Sequence, residues 1–481
     1  MSLPFVTSPL AALARWNQGP AGDPALQDYE SYWRSRGQAV SDAVDRQGTP
    51  HLRMFDALGR RKDEILLPPE YWALLQRGYQ AGVVWRVFAE RTVLPFCRLG
   101  HVTSFFDPGL FCPFTVSLAT AVVLDKYGAP EVKARYLPPL LDRERAWQGA
   151  TWMTEAGGGS DLGATVETVA RAEADGSWRL TGDKYFASNA GAELAVVAAR
   201  PDGAPSGPRG LALFLVPRDR PDGALNYTIR RLKDKIATRS VPTGEVELRS
   251  SLAYLLGPAN QGIYLVLEVL NVSRVANSIA SVALAQRAIA DAQAFASSRR
   301  AFGRPIAEHP LLARQFADRV RDLEIAAALA WDAACRLDRV WQERPPYSSE
   351  YDLFRLVAHL AKYWTADNAV ATARWAMEVL AGAGTLAENR VERWLREAMI
   401  LAIWEGTPHR HILDGLEVMA RKGAHRHLLD RLAGSAPEPA LAAWRSRIES
   451  HLRLPEAKRE GEAEALFREL ARFTGESLAR H

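Results

Sequence analysis

The sequence predicts an α+β fold that is mostly α: a helical N-terminal region, a central β domain, then a helical bundle with a helical tail. Three observations predict it. Helix-length apolar patterning fills residues 1–149, short strand-like runs bounded by turn residues fill 150–256, and long patterns poor in Gly and Pro fill 257–423, with a charged, helix-prone tail at 424–481. This order is not a βαβ alternation. With 481 residues, the chain has room for two to four structural units at a soft prior of ~150 residues each.

In the first region, "PPEYWALLQRGYQAGVVWRVF" and "TVSLATAVVLDKYG" have helical periodicity. "GAPEVKARYLPPLL" reads as a Gly-terminated helix, a short connecting helix and a Pro stop. Next come the strand-like runs "WRLTGDKYFAS", "ELAVVAARPDG", "RGLALFLVPRDRPDG", "NYTIRRLKDK" and "GEVELRS", which place the end of the β domain near Ser251. A long helix then runs from about residue 261, with Gly303 as its C′ residue after the cationic last turn at Arg299 and Arg300. Further helices are expected at about 309–344, 349–382, 388–402 and 408–422, and antiparallel packing into a bundle is the simplest arrangement.

Composition narrows the function classes. Hydrophobic residues at 48% supply an ordinary globular core, and a net charge of +4 does not by itself argue for nucleic acid. Cys97, Cys112 and Cys335 form neither a disulfide framework nor a metal-binding spacing, so no metal is expected and a reducing cytoplasm is the plain reading. The N-terminus lacks the pattern of a signal peptide. No uninterrupted apolar run approaches the roughly 20 residues of a membrane helix, so no membrane partner is expected.

Three constellations can carry chemistry. "TWMTEAGGGSDLGA" ends its glycine run at Gly159 and adds the hydroxyl of Ser160; its backbone amides can approach a ligand, though alone it reads first as a flexible surface loop. It is no dinucleotide fingerprint, because no βαβ unit surrounds it. "GDKYFASNAG" opens on a Gly182-Asp183 turn signal, after which alternation puts Phe186 and Ser188 on one strand face. A flat aromatic beside a hydroxyl suits a heteroaromatic ligand; taken alone, a half-buried strand with a core Phe and an edge Ser is the favoured reading. In "LAIWEGTPHRH", Glu405 follows an apolar run, and desolvation by Ile403 and Trp404 would raise its pKa towards that of a useful base. Gly406 lets a substrate approach, and Thr407 and Pro408 read as N-cap and N1 of the next helix. Alone, Glu405 reads first as a surface residue at a helix end, the more common fate of a Glu.

Taken in order, "LDKYGAPEVKARYLPPLL", "MTEAGGGSD", "GDKYFASNAG", "SSRRAFGRPIAEHP", "MEVLAGAG" and "VERWLREAMILAIWEGT" resemble the acyl-CoA dehydrogenase family over roughly residues 60–425. "LRMFDALGRRKDEILLPPEYWALLQ", "GLFCPFTVSLATAVVL" and "RRLKDKIATRS" resemble its AidB-like, alkylation-response branch, which also has a long N-terminal extension. The resemblance implies a helical domain, a β-barrel-like domain and a four-helix bundle. It also implies FAD between β domain and bundle, shared across a subunit interface.

By resemblance, Glu405 is the base that removes the α-proton of an acyl-CoA thioester. Met153 and Thr154 meet the flavin pyrimidine edge, Gly159 and Ser160 lie near cofactor or substrate phosphates, Phe186 packs on the flavin, and Ser188 lies near N5. Arg299, Phe302, Glu378 and Gly382 reach the FAD of a neighbouring subunit, while Thr407 and His409 line FAD. Ser160, Arg274, Trp404 and Gly406 fall on the substrate side. There are departures: Phe186 stands for a usual Trp, Ser188 for Thr, Glu378 for Gln and Trp404 for Tyr. An anion at Glu378 opposes direct contact with a pyrophosphate. Some members carry the base on the long helix before an Arg; here Ser273 precedes Arg274, which leaves Glu405 as the candidate.

The implied activity is α,β-dehydrogenation of an acyl-CoA in fatty acid metabolism. Electron-transferring flavoprotein is the implied acceptor, and the protein a cytoplasmic homo-oligomer, a dimer of dimers or homotetramer. The alternatives are a DNA-associated AidB-like flavoprotein with little turnover, an acyl-CoA oxidase, and a flavin-binding scaffold. Beyond Ala420 there are 12 Lys or Arg against 9 Asp or Glu, a mixture that reads better as solvated helix than as a DNA surface.

Overall fold

The computed structural model describes residues 4–19 and 22–480. The chain forms two compact units: Ser31–Leu99 with Gly109–Ser273, and Met1–Glu30 with Gly100–Pro108 and Arg274–His481.

The first unit is built on a sheet. Its strands are β1 (His51–Phe55), β2 (Arg61–Leu66), β3 (Gly149–Trp152), β4 (Val169–Ala172), β5 (Trp178–Ser188), β6 (Leu194–Pro201), β7 (Ala212–Pro217), β8 (Thr228–Leu232) and β9 (Thr243–Leu256). β1 and β2 form a separate antiparallel hairpin. In the main sheet β4 pairs β5, β5 pairs β9, β9 pairs β7, β7 pairs β6, and β6 returns to β4. That ring of pairings is the expected barrel-like domain. Closure leaves few free edges, and alternate residues such as Trp152, Val197, Phe214, Val246 and Leu248 fill the interior. The helix Phe111–Tyr127 anchors β3: Thr120 Oγ1 donates to the Ala150 carbonyl at 3.0 Å, and Ser117 Oγ accepts from the Gly149 amide at 2.9 Å. β3 leads directly into Met153 and Thr154.

The second unit is helical. Ser349–Leu380 lies at its centre, packed by Pro310–Val340, Val391–Ile403, Pro408–Lys422 and the tail helix Ala463–Leu478. It is buried nearly all round because its apolar residues are not confined to one stripe. Ser348 caps it, its Oγ accepting from the Tyr351 amide at 3.2 Å. Close approach of the tail helix needs two glycines. A Cβ on Gly415 would lie 2.3 Å from Phe467, and one on Gly475 would lie 2.7 Å from Ile325.

Several expectations are corrected. The hairpin β1–β2 interrupts the helical N-terminal region; the turn at Asp56–Gly59 between alternating strands marks it. Helix Pro130–Leu140 runs through Pro138 and Pro139 instead of stopping there. Gly182 is no turn: at φ +154° it sits in continuous β5 at a register shift against β9, so it serves as a bulge. The last strand of the β domain runs to Leu256, past the strand-like run that ends at Ser251 and up to the expected domain boundary. The long helix ends at Ser298, and Gly303 closes a tiny hairpin of Arg300–Ala301 with Arg304–Pro305. Phe302 and Gly303, at φ +50° and +82°, are the two left-handed residues such a turn requires.

The helix Gly262–Ser298 is also long and apolar enough on average to cross a membrane, with mean hydropathy 1.3 over its best window, of which 89% is buried. Polar residues break its apolar run and bond within the fold. Asn277 Nδ2 donates to the Leu401 carbonyl at 3.0 Å, and Ser281 Oγ to the Asn277 carbonyl at 2.8 Å.

Candidate active site around Glu405

Helix Val391–Ile403 stops at Trp404, and the next helix begins at Pro408. The elbow between them carries Glu405 at φ +60° and Gly406 at φ +110°. A non-glycine residue in the left-handed region is uncommon, costs about 1–3 kcal/mol, and persists where surrounding structure over-determines it. Here three carbonyls of the elbow accept from buried cations. Lys362 Nζ donates to the Ala402 carbonyl at 3.1 Å and the Gly406 carbonyl at 2.7 Å, and Arg274 Nε donates to the Glu405 carbonyl at 3.4 Å. Two positive groups at a helix C-terminus also complement its dipole. Thr407 occupies the N-cap position with Pro408 following, but its hydroxyl makes no capping bond; the Pro and the backbone set the helix start.

Burial pushes the Glu405 carboxyl above the ordinary range, against the opposing pull of Arg274 and Lys362. Burial likewise pulls Lys362 down to about 7, Glu405 opposing and Arg274 assisting. Asp414 takes part of the Arg274 charge at 3.5 Å and is itself held by Arg410, Nε to Oδ1 at 2.8 Å. Beside the elbow, His359 and His411 share a hydrogen bond, Nδ1 to Nδ1 at 3.1 Å. Burial and neighbouring cations hold both far below their ordinary pKa, so both are neutral. Among the described residues, Trp404 Nε1 is buried without a hydrogen-bond partner. A cavity of ≈ 240 Å³ is lined by Lys362, Ala402, Tyr363, Pro408, His409 and Arg468.

The β unit holds the other expected residues. Met153 is buried and Thr154 half-buried at the end of β3, while Gly159 and Ser160 are exposed in the loop beyond. Thr154 needs Gly159, because a Cβ there would meet its Oγ1 at 2.5 Å. Phe186 is 52% exposed, unusual for its type, while Ala187 between it and Ser188 is buried. Ser188 Oγ lies 3.2 Å from Thr243 Oγ1. Lys233 Nζ stands 4.8 Å from the Phe186 ring centre and 3.3 Å from that of Tyr185. An uncovered ring, hydroxyls and a glycine loop open to solvent together fit a flat isoalloxazine with a phosphate-bearing tail.

Arg299 and Phe302 are exposed on the second unit, Phe302 at 96%. Glu378 is exposed and paired with Arg374 at 3.4 Å, so its charge is engaged within its own helix. Gly382 faces open space. Sequence reasoning singled out Arg274 but missed Lys362, His359, His411 and Asp414. No local signal marks Lys362; the fold alone brings it to an elbow some forty residues on.

Comparison with known proteins agrees with this architecture. Family models for the acyl-CoA dehydrogenase C-terminal domain, its middle domain and the AidB N-terminal domain match residues 260–419, 150–251 and 6–145. The chain belongs to the acyl-CoA dehydrogenase family. Within it, the chain is AidB-like: it is 31% identical over 396 residues to AidB of Escherichia coli (strain K12), across 79% of this chain and 71% of that protein. It is 30% identical over 408 residues to acyl-CoA dehydrogenase family member 11 of Caenorhabditis elegans, across 80% of this chain and 66% of that protein, just under two thirds. Two solved structures share the fold. "Bd2924 apo-form" has TM-score 0.86 at 29% identity, covering 99% of this chain and 94% of that one. Caenorhabditis elegans ACDH-11 in complex with C11-CoA has TM-score 0.84 at 24% identity, covering 99% and 86%.

Proposed function

We propose that the protein is an FAD-dependent acyl-CoA dehydrogenase in which Glu405 removes the α-proton of the thioester. The observation that carries this reading is the elbow itself. A carboxylate in a left-handed turn, pushed above its ordinary pKa by burial and backed by two cations, is built as a general base. Family membership and the C11-CoA complex of the worm relative support the substrate class.

FAD, when bound, supplies the hydride acceptor. Met153, Thr154, Phe186 and Ser188 would hold its ring, and Gly159 and Ser160 a phosphate. The Glu405 side chain takes the proton; its backbone amide, by family resemblance, polarises the thioester carbonyl, a preorganised dipole aimed at developing charge. Gly406 leaves the approach open. An electron-transferring flavoprotein is the acceptor in this reading, and a cytoplasmic homo-oligomer completes the FAD site through Arg299 and Phe302.

Anaerobic titration with acyl-CoAs of increasing chain length tests it. Bleaching of the flavin by at least one chain length is expected, with Glu405→Gln retaining FAD but losing the bleaching. A variant that bleaches at the wild-type rate rules out Glu405 as the base.

A DNA-associated role has weaker support. Tail cations are matched by acids: Arg445 with Asp430 at 2.8 Å, Arg447 with Glu469, Arg468 with Glu464 at 2.7 Å and Arg472 with Glu476 at 3.0 Å. Strongly salt-dependent DNA binding by the purified protein would favour that role instead.

A further inference from the structure

We propose that Lys362 is a positioning residue for the base: its ammonium clamps the elbow that carries Glu405 and, with Arg274, supplies the positive charge that keeps the carboxylate ionised near neutral pH. This rests on Glu405 being the base.

The geometry is specific. Lys362 is 1% exposed, in the middle of the central helix Ser349–Leu380, where a lysine would ordinarily be unwelcome. Its amine spans the elbow, donating to the carbonyls of Ala402 and Gly406 on either side of Glu405. Neither carbonyl requires a charge to be satisfied; a neutral donor would do. The charge therefore acts on something else, and Glu405 is the anion whose field raises the pKa of Lys362. One amine bonded to carbonyls on both sides of Glu405 also holds the left-handed turn, since shifting Glu405 to ordinary backbone angles would part the Gly406 carbonyl from that of Ala402.

Among the described residues, Lys362 and Arg274 are the cations whose fields act on Glu405. Of the cations, Arg410 is committed to Asp414, and Arg274 divides itself between Asp414 and the Glu405 carbonyl. Arg355, on the same helix as Lys362, adds repulsion to Arg274. His359 and His411 pack beside the elbow but are neutral. On the cavity side stand Asp367, His409 and the Glu464–Arg468 pair, which is joined at 2.7 Å. Because burial brings Lys362 down to about 7, its charge is present on the acid side of neutrality, where Glu405 needs help to stay ionised, and fades above it.

Two variants separate charge from hydrogen bonding: Lys362→Met removes both, and Lys362→Gln keeps a donor. With FAD-loaded protein, kcat/KM for flavin reduction is followed against pH using an acyl-CoA that bleaches the wild type. Both variants are expected to move the acid limb upward by about one pH unit. Lys362→Met should also lose rate on the plateau, where Glu405 is ionised in any case, because the elbow loosens. An unmoved acid limb in both variants overturns the proposal. Should Lys362→Met fail to fold, Lys362→Gln carries the same test. A direct reading separates this inference from the reading it rests on. Infrared difference titration of the Glu405 carboxyl, assigned by its loss in Glu405→Gln, needs no turnover. If no acyl-CoA reduces the wild type, the dehydrogenase reading falls, while the infrared pKa still moves upward in the Lys362 variants or refutes the clamp.

Discussion

A Cβ placed on Gly406 would lie 3.1 Å from Nε2 of His411, and the backbone there has φ +110°. The elbow is therefore closed to side chains from two directions at once: the torsion disfavours any L-residue, and His411, held by its bond to His359 at 3.1 Å, has little freedom to retreat. Gly406→Ala should lose about 1–3 kcal/mol of stability. The displaced elbow should also lower the rate of flavin reduction by acyl-CoA more than it changes FAD retention. Thermal unfolding and stopped-flow bleaching check the two effects; a variant matching wild type in both would mean that the turn relaxes freely.

Buried neutral histidines should make the protein acid-sensitive. His101 Nε2 donates to Gln286 Oε1 at 2.9 Å, an assignment that follows because the Gln286 amide donates to the carbonyls of Phe5 and Ser8. Burial holds His101 at about 4, below its ordinary value of 6.5. Between those values the unfolded chain binds a proton that the folded chain does not, so stability rises with pH and is lost as pH falls. From pH 6.5 down to 4 the loss from this group is about 3 kcal/mol, and His359 and His411 add to it in the same direction. His101→Gln, which keeps a donor, should flatten the dependence of melting temperature on pH in this window by one proton. An unchanged slope would show that His101 is protonated in the folded state.

Some of this architecture is legible in the sequence, and for physical reasons. The bundle helices follow from sustained apolar periodicity, so Ser349–Leu380 and Pro408–Lys422 fall close to expectation. Glu405 stood out because a carboxylate beside Ile403 and Trp404 needs a reason. What escaped was set by tertiary pairing. Gly182 looks like a turn until β9 lies alongside and makes it a bulge, and Pro138 and Pro139 look like a stop until the last turn of a short helix accommodates them. Lys362 looks like an ordinary helix lysine, because nothing local announces that Ala402 and Gly406 will meet it.

Phe186 should matter to FAD and not to folding. At 52% exposed, it contributes little burial to its own unit, so Phe186→Ala should change stability by no more than about 0.5 kcal/mol. If the ring packs on a flavin, its loss should weaken FAD binding about two- to thirteenfold, the worth of an aromatic contact of about 0.5–1.5 kcal/mol. Lys233, beside both Phe186 and Tyr185, stays in place through its bond to Glu245 at 2.8 Å, so the local charge is preserved in the variant. Fluorescence titration of apoprotein with FAD measures the change. Equal affinity in variant and wild type would remove Phe186 from the flavin site.

Phe302 has the opposite problem: a phenyl ring 96% exposed at the tip of a two-residue hairpin, with φ +50° and the His309 ring 6.0 Å away as its aromatic neighbour. A β-turn tip has no need of a large apolar side chain, and a left-handed torsion favours Asn over Phe. The residue is costly where it stands, and covering its ring would offset that cost. Covering it against a second copy of the chain would return about 1.5–3 kcal/mol per ring. Phe302→Asn should therefore leave the melting temperature of the isolated subunit unchanged or slightly higher, while weakening self-association about tenfold or more. FAD retention should fall along with association if the neighbouring subunit completes the cofactor site. Sedimentation velocity over a concentration series reads the first effect, and the flavin-to-protein absorbance ratio after gel filtration reads the second. A variant that sediments like the wild type excludes this hairpin from self-association, and one that dissociates with full flavin content would confine the cofactor to a single chain.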